Sequence, residues 1–303
     1  MMKYLVIGTG GVGGSIASFL ALAGKDVTCI ARGAHLHAIQ EDGLQLISGL
    51  KGSQTVPLKV CTAETYTDTP DVIFLCVKGY SITAVQDLLA RISHPENIII
   101  PILNGFGIGA HIAELLPTAR VADGCIYIMA HIEKPGVIHQ KGSIFRMVIG
   151  GNTEKDTIYL QQIATDLSNA GIKIEVSEDI RRDTFLKWAF ISAMACTGAY
   201  YDVSMGAVQQ AGEIRDLFAG LSREMQAIAQ ALDIQTAQPI EEYNLMVIDK
   251  THPESTASMQ KDLRAGKQSE IDTLLFEVIR LGESLSIAMP YYTRVAEKFS
   301  ALR

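Results

Sequence analysis

Two groups of residues in this sequence have the types and the spacing to do chemistry. The first is Lys187, the only charged residue between Thr184 and Tyr201. A lysine inside an otherwise apolar helix loses hydration, which lowers its pKa and makes it a proton donor usable near neutral pH. The alternative is a lysine near a helix start that snorkels to water. The second group is Gly8-Thr9-Gly10-Gly11-Val12-Gly13, in which Gly8, Gly10 and Gly13 keep the spacing G-x-G-x-x-G. In a strand–turn–helix setting the first glycine permits the tight turn. The second lets the backbone approach a pyrophosphate, and the third lets helix and strand pack closely. The amides and the positive dipole end of the helix then face the anion.

The setting has the required order. Tyr4 to Ile7 is a short apolar run that reads as a strand buried on both faces. After the glycines, Val12, Ile16, Phe19, Leu20 and Ala23 repeat at helical spacing, and Gly24 closes the helix. Asp26 to Ala31 is a second strand, followed by Arg32. An NAD site needs a carboxylate at that point, whereas a guanidinium can bind a 2′-phosphate through paired bonds. Arg32 therefore favours NADPH over NADH, against the alternative of a solvated surface charge.

Further strands are expected at Asp71 to Val77 and Ile98 to Leu103, with a helix through Ile82, Val85, Leu88, Leu89 and Ile92 between them. Lys78 and Asn104 follow these two strands, at the carboxyl ends where open parallel sheets bind ligands. A snorkelling lysine and a turn-forming asparagine are equally good readings of those two residues. Gly43 to Ser48 and Thr55 to Val60 read as a hairpin. Val121 to His131, Gly136 to Gln140 and Ile144 to Ile149 read as consecutive strands at the far, partly antiparallel edge of the same sheet. A helix over Thr157 to Ala170 and a strand over Ile172 to Val176 follow. Beyond about residue 179 helical stretches dominate: 180–199, 210–232, 239–250, 255–266, 270–286 and 291–302. The expected fold is α/β, with a Rossmann-type dinucleotide-binding domain over residues 1–178 and an all-helical domain over 179–303.

The helical part carries further polar candidates. Ser255, Ser258 and Asp262 fall on one face of a helix, opposite Met259 and Leu263. Ser269 and Asp272 resemble a capping box, with Glu270 in the first turn. By themselves, Glu270 reads as a carboxylate favoured by the helix dipole and Ser258 as a surface residue.

Composition narrows the class. A 303-residue chain with 48% hydrophobic and 19% charged residues fits a well-packed protein of two domains. A net charge of −7 without a basic cluster argues against nucleic acid. The five cysteines are scattered, with no C-x-x-C and no zinc-like cluster. They suggest reduced thiols and a cytoplasmic setting, with no metal, and Cys29 and Cys76 read as buried and inert. The first strand starts at once, so no signal peptide is expected. The longest apolar stretch, Trp188 to Tyr201, is too short to span a bilayer, so no membrane partner is expected.

Over nearly its whole length the chain resembles the ketopantoate reductase (2-dehydropantoate 2-reductase) family. The resemblance runs through Gly8 to Gly13, Arg32, Val77-Lys78 and Asn104-Gly105-Phe106-Gly107. It continues through Pro135-Gly136, Ile149-Gly150, Lys187, Ser258-Met259 with Asp262, and Glu270-Ile271-Asp272. It implies reduction of a small-molecule 2-oxo acid by NADPH (ketopantoate to pantoate, in pantothenate biosynthesis). It gives Lys187 the role of general acid and places Glu270 beside cofactor and lysine. Ser258 would hold the substrate carboxylate, and Asn104 would lie between cofactor and substrate. A positioned ammonium suits the negative charge that hydride delivery builds on a ketone oxygen. Gly8, Thr9, Gly10, Gly11, Val12, Gly13, Arg32, Lys78 and Asn104 would bind the cofactor. The family's substrate-binding asparagines are replaced here by Ile191, Ala195 and Ser255. A bulkier or less polar 2-oxo acid would suit Ile191 and Ala195 better. A protein that senses NADPH without turnover is the reading from another class, opposed by Lys187 and Glu270. The resemblance is compatible with a homodimer.

Overall fold

The computed structural model describes residues 2–151 and 153–302. The chain folds into two compact units, Met1–Leu103 with Gly107–Ile180, and Asn104–Phe106 with Arg181–Arg303.

The first unit runs β1 (Lys3–Ile7), α1 (Gly11–Leu22), β2 (Asp26–Ile30), α2 (Gly33–Asp42), β3 (Leu44–Ser48), β4 (Gly52–Val56), β5 (Lys59–Cys61), β6 (Val72–Leu75), α3 (Gln86–Ile92), β7 (Ile98–Pro101), α4 (Ile108–Leu115), β8 (Asp123–Lys134), β9 (Val137–Gly150), α5 (Glu154–Ala170) and β10 (Lys173–Val176). A parallel sheet has the order β5-β2-β1-β6-β7. Its centre is buried on both faces, as the unbroken apolar runs require. Tyr4 and Val6 of β1 enter one core with Ile16, Phe19 and Leu20 of α1. Leu5 and Ile7 enter another with Leu88, Leu89 and Ile112 of α3 and α4. Each such fully buried aliphatic side chain contributes about 1.5–3 kcal/mol. Cys29, inside β2, is fully buried, and burial pushes its thiol up to about 12. Cys76 lies just past β6, and burial raises its thiol as well.

Two strand expectations are corrected. The strands after Val121 do not extend the parallel sheet. They belong to a second, mixed sheet in the order β10-β9-β3-β4, with β8 paired to β9. Gly136 to Gln140 and Ile144 to Ile149 are parts of the single strand β9, which is 14 residues long. That length accommodates three partners: β8 antiparallel, β3 parallel near its start and β10 parallel near its end. Among the described residues an isolated bridge, Ile99 to Val121, joins this region to β7. Ile138, Phe145, Met147 and Ile149 of β9 face the core shared with α1 and α5. Alternation along a strand defines its buried face but not its neighbour, so the pattern could not separate the two sheets. The expected hairpin also divides differently. β3 pairs with β4, while the Lys59–Cys61 stretch leaves it and joins β2 in the parallel sheet.

Helix α5 starts earlier than expected, because Thr153 and Asp156 form a capping box. Burial raises the Asp156 carboxyl, but the Thr153 hydroxyl and amide and the Arg120 guanidinium outweigh it and hold the group below its ordinary value.

The second unit contains α6 (Ile180–Tyr201), α7 (Met205–Val208), α8 (Glu213–Ala231), α9 (Ile240–Asp249), α10 (Ser258–Arg264), a π-helical turn (Asp272–Phe276), α11 (Glu277–Ser284) and α12 (Pro290–Lys298). Phe185, Trp188, Phe218, Leu221, Met225, Leu275 and Tyr292 are in its core. Glu224 of α8 caps α12 by accepting the amides of Tyr291 and Tyr292 at 2.6 and 2.9 Å. Helix α10 is shorter than the expected 255–266, so Ser255 precedes it and does not share a helical face with Ser258 and Asp262. The suggested Ser269–Asp272 box does not form either, since the Asp272 carboxylate pairs with the Arg280 guanidinium at 2.9–3.0 Å. Among the described residues no helix is long and apolar enough to cross a membrane.

Candidate active site

The glycine turn joins β1 to α1 in the first unit. Gly8 has φ +96°, and a Cβ there would meet the Cys76–Val77 peptide at 2.9 Å. At Gly13 a Cβ would stand 2.2 Å from the Gly8 carbonyl oxygen, so helix and strand approach only because it is glycine. Gly10 differs from both. It caps α1 without a side chain, and a Cβ there would meet no heavy atom within 4 Å. The open space lies beside the first-turn amides of Gly11, Val12 and Gly13, which have no acceptor four residues back. No acidic residue sits in that turn. Backbone donors, open space and no opposing charge fit the pyrophosphate of a dinucleotide.

Thr9 has a structural task. Its side chain is buried, and its hydroxyl donates to the Ile30 carbonyl at 2.9 Å, tying the turn to β2. Arg32 follows β2 and caps α2 in an extended conformation. It is exposed, and among the described residues its guanidinium has no hydrogen-bond or ion-pair partner. Lys78 stands beyond β6, half-buried, before a 3₁₀ turn at Gly79–Ser81.

In the second unit, three polar residues far apart in sequence meet. The Lys187 ammonium of α6 donates to Asn104 Oδ1 at 2.9 Å. Asn104 Nδ2 donates to Glu270 Oε2 at 3.3 Å. Lys187 is 7% exposed and Glu270 3%. One amide thus bridges a buried cation and a buried anion. The charges fix its orientation, because a flipped amide would set NH₂ against NH₃⁺ and a carbonyl against a carboxylate. Phe106, two residues after Asn104, stacks on Trp188 (5.9 Å) and meets the edge of Phe185 (5.1 Å). These aromatic contacts anchor the segment that carries the amide.

The other candidates sit as follows. Ile191 and Ala195 continue the Lys187 face of α6, one and two turns on. Ile191 is half-buried and Ala195 fully buried in the helical core. Ser258 begins α10 and is exposed, while Ser255 uses its backbone, accepting the Met205 amide at 3.0 Å. Hydrogen bonds bring Lys187, Asn104 and Glu270 together. Sequence reasoning missed Phe106 and Trp188, although Trp188 is the only tryptophan and adjoins Lys187. It also missed the π-helical turn that follows Glu270.

The chain thus combines a parallel sheet whose first strand meets its helix at a glycine turn with a helical unit that buries a lysine bonded to an amide, and its relatives identify the class. Family models described as "Ketopantoate reductase PanE/ApbA" and its C-terminal part match residues 4–154 and 179–303. The chain belongs to the ketopantoate reductase family, oxidoreductases that act on CH–OH groups with a nicotinamide dinucleotide. It is 27% identical to a 2-dehydropantoate 2-reductase of Mesorhizobium japonicum, over 95% of this chain and 94% of that one. It is 26% identical to an uncharacterized oxidoreductase of Bacillus subtilis, YkpB, over 95% of both. It also shares its fold, at 21% identity, with D-mandelate dehydrogenase solved with NADH and anilino(oxo)acetate. The TM-score is 0.91, covering 99% of this chain and 98% of that one.

Proposed function

We propose that this protein reduces a 2-oxo acid with NADPH, residues 1–178 holding the cofactor and residues 179–303 supplying the catalytic lysine. The observation that carries the reading is the buried Lys187–Asn104–Glu270 cluster. When bound, NADPH supplies the hydride. Lys187 is the general acid: its ammonium stabilises the negative charge growing on the ketone oxygen and then gives that oxygen its proton. Asn104 orients the ammonium through Oδ1, and Glu270 keeps the amide turned so that Oδ1 faces Lys187. Gly10 and the first-turn amides of α1 receive the pyrophosphate, and Arg32 the 2′-phosphate that separates NADPH from NADH. Ser258 holds the substrate carboxylate.

The first substrate to consider is 2-dehydropantoate, whose reduction to pantoate would place the protein in pantothenate biosynthesis. One observation favours a different 2-oxo acid. Beyond Lys187 the same face of α6 offers Ile191 and Ala195, neither able to hydrogen-bond a substrate hydroxyl. Steady-state rates with NADPH across a panel separate the readings. A kcat/KM for 2-dehydropantoate well above that for 2-oxo acids with apolar side chains supports the first, and the reverse order the second. Binding of NADPH without reduction of any 2-oxo acid would overturn both.

A further inference from the structure

The helix that follows Glu270 is interrupted by a π-helical turn, Asp272–Phe276. The Leu274 amide still bonds the Glu270 carbonyl at 3.0 Å, four residues back, whereas the Glu277 amide bonds the Asp272 carbonyl, five back. One residue is inserted into the helical register between them. Each residue of an α-helix turns the chain by about 100°. The insertion therefore decides which way Glu270 points relative to α11.

Side chains from α6 meet this turn. Trp188 Nε1 donates to the Thr273 carbonyl at 3.1 Å. Ser192 Oγ donates to the Leu274 carbonyl at 2.6 Å, and Cys196 Sγ to the same carbonyl at 3.3 Å. The three residues are spaced by four, so they form one stripe on α6. Ser192 has a single proton, committed to Leu274. The Tyr292 hydroxyl, 2.7 Å away, is therefore the donor to Ser192 Oγ. Ser192 and Tyr292 are fully buried. A polar relay of this kind in an apolar core is costly unless every member is satisfied. Here it runs from α12 through α6 to the carbonyl at the helical insertion.

We propose that Ser192 is a positioning residue for the reaction: by binding the Leu274 carbonyl it keeps the turn in its π register and so holds Glu270 on Asn104. It touches neither reactant. The inference rests on the function proposed above, because it assigns Ser192 an effect exerted through Glu270. Tyr292 supports it by fixing the Ser192 rotamer.

The test is a double-mutant cycle on kcat, with Ser192→Ala, Glu270→Ala and both together, beside Tyr292→Phe. Misplacing a reactive group by about 1 Å costs up to about a hundredfold. Ser192→Ala is expected to lower kcat between about ten- and a hundredfold, with KM for the 2-oxo acid and the NADPH dissociation constant within about twofold of the parent. Tyr292→Phe is expected to give a smaller loss of the same kind. In the Glu270→Ala background, which has no acceptor for Asn104 Nδ2, Ser192→Ala should cost no further activity, because its route is already removed. Equal losses in both backgrounds, or an unchanged kcat in a folded Ser192→Ala protein, would overturn the positioning role. A crystal structure of Ser192→Ala gives a readout independent of activity. A shift of residues 272–276 to the α register supports the proposal, and an intact π turn overturns it. If the parent protein reduces no 2-oxo acid, the functional reading fails instead, and the crystallographic arm still reports on the register.

Discussion

Substituting alanine at two glycines of the same turn separates folding from cofactor binding. A Cβ at Gly10 meets no heavy atom within 4 Å, and its φ of −79° and ψ of −165° are open to any L-residue. Alanine is a poorer helix cap than glycine, by several tenths of a kcal/mol. It also lowers unfolded-state entropy, a gain of about 0.4–1 kcal/mol. These effects offset, so Gly10→Ala should leave stability within about 0.5 kcal/mol. Gly13→Ala sets a Cβ 2.2 Å from the Gly8 carbonyl oxygen, and the backbone must yield. Overpacking of this kind costs about 1–3 kcal/mol, a fall in Tm of several degrees. Both variants should bind NADPH more weakly. At Gly10 the new methyl stands where the pyrophosphate approaches the backbone. A loss of about 1.4–2.8 kcal/mol there is about ten- to a hundredfold in Kd. Thermal unfolding without cofactor and NADPH fluorescence titration measure the two effects. A Gly10→Ala protein that binds NADPH like the parent, or melts as early as Gly13→Ala, refutes the assignment of that open space.

Asn104→Ala removes two bonds to charged partners, one of them from the Lys187 ammonium, each worth about 1.5–3 kcal/mol in a buried site. Its kcat should fall at least about tenfold, measured as NADPH oxidation at saturating substrate; a value within twofold of the parent would show that the bridge is not used. Arg32→Ala should weaken NADPH far more than NADH in parallel titrations, since only NADPH has a 2′-phosphate, and equal losses would remove that role. Asp156→Asn tests the α5 cap through pH. The native carboxyl sits below its unfolded value, so its stabilisation is present above about pH 4 and disappears as pH falls through the folded pKa. The variant should be less stable by about 1–2 kcal/mol at neutral pH, and the gap should close in acid denaturation curves; a constant gap would assign the effect to packing.

Local signals carried much of this structure. The β1 run, the glycine spacing and the helical repeat after it are determined by neighbours in sequence, and all three formed as read. The parallel sheet followed for the same reason. What failed was pairing: β8 and β9 have plain strand patterns, but nothing in them says whether β7 or β3 is beside them. The site divides in the same way. Lys187 was legible because its charge interrupts an apolar helix. Glu270 was not legible from spacing, since a first-turn carboxylate has a sufficient local explanation. Both residues bond Asn104, which lies 83 residues from Lys187 and 166 from Glu270 in sequence. Ser192 and Tyr292 gave no signal, because a buried hydroxyl announces its partner only in three dimensions.

In the proposed reaction Lys187 supplies the proton. Lys187→Ala, assayed for turnover and for NADPH binding on the same preparation, isolates that role. Turnover of every accepted 2-oxo acid should be abolished while NADPH binds with its parental affinity. Near-normal turnover in that variant would contradict it.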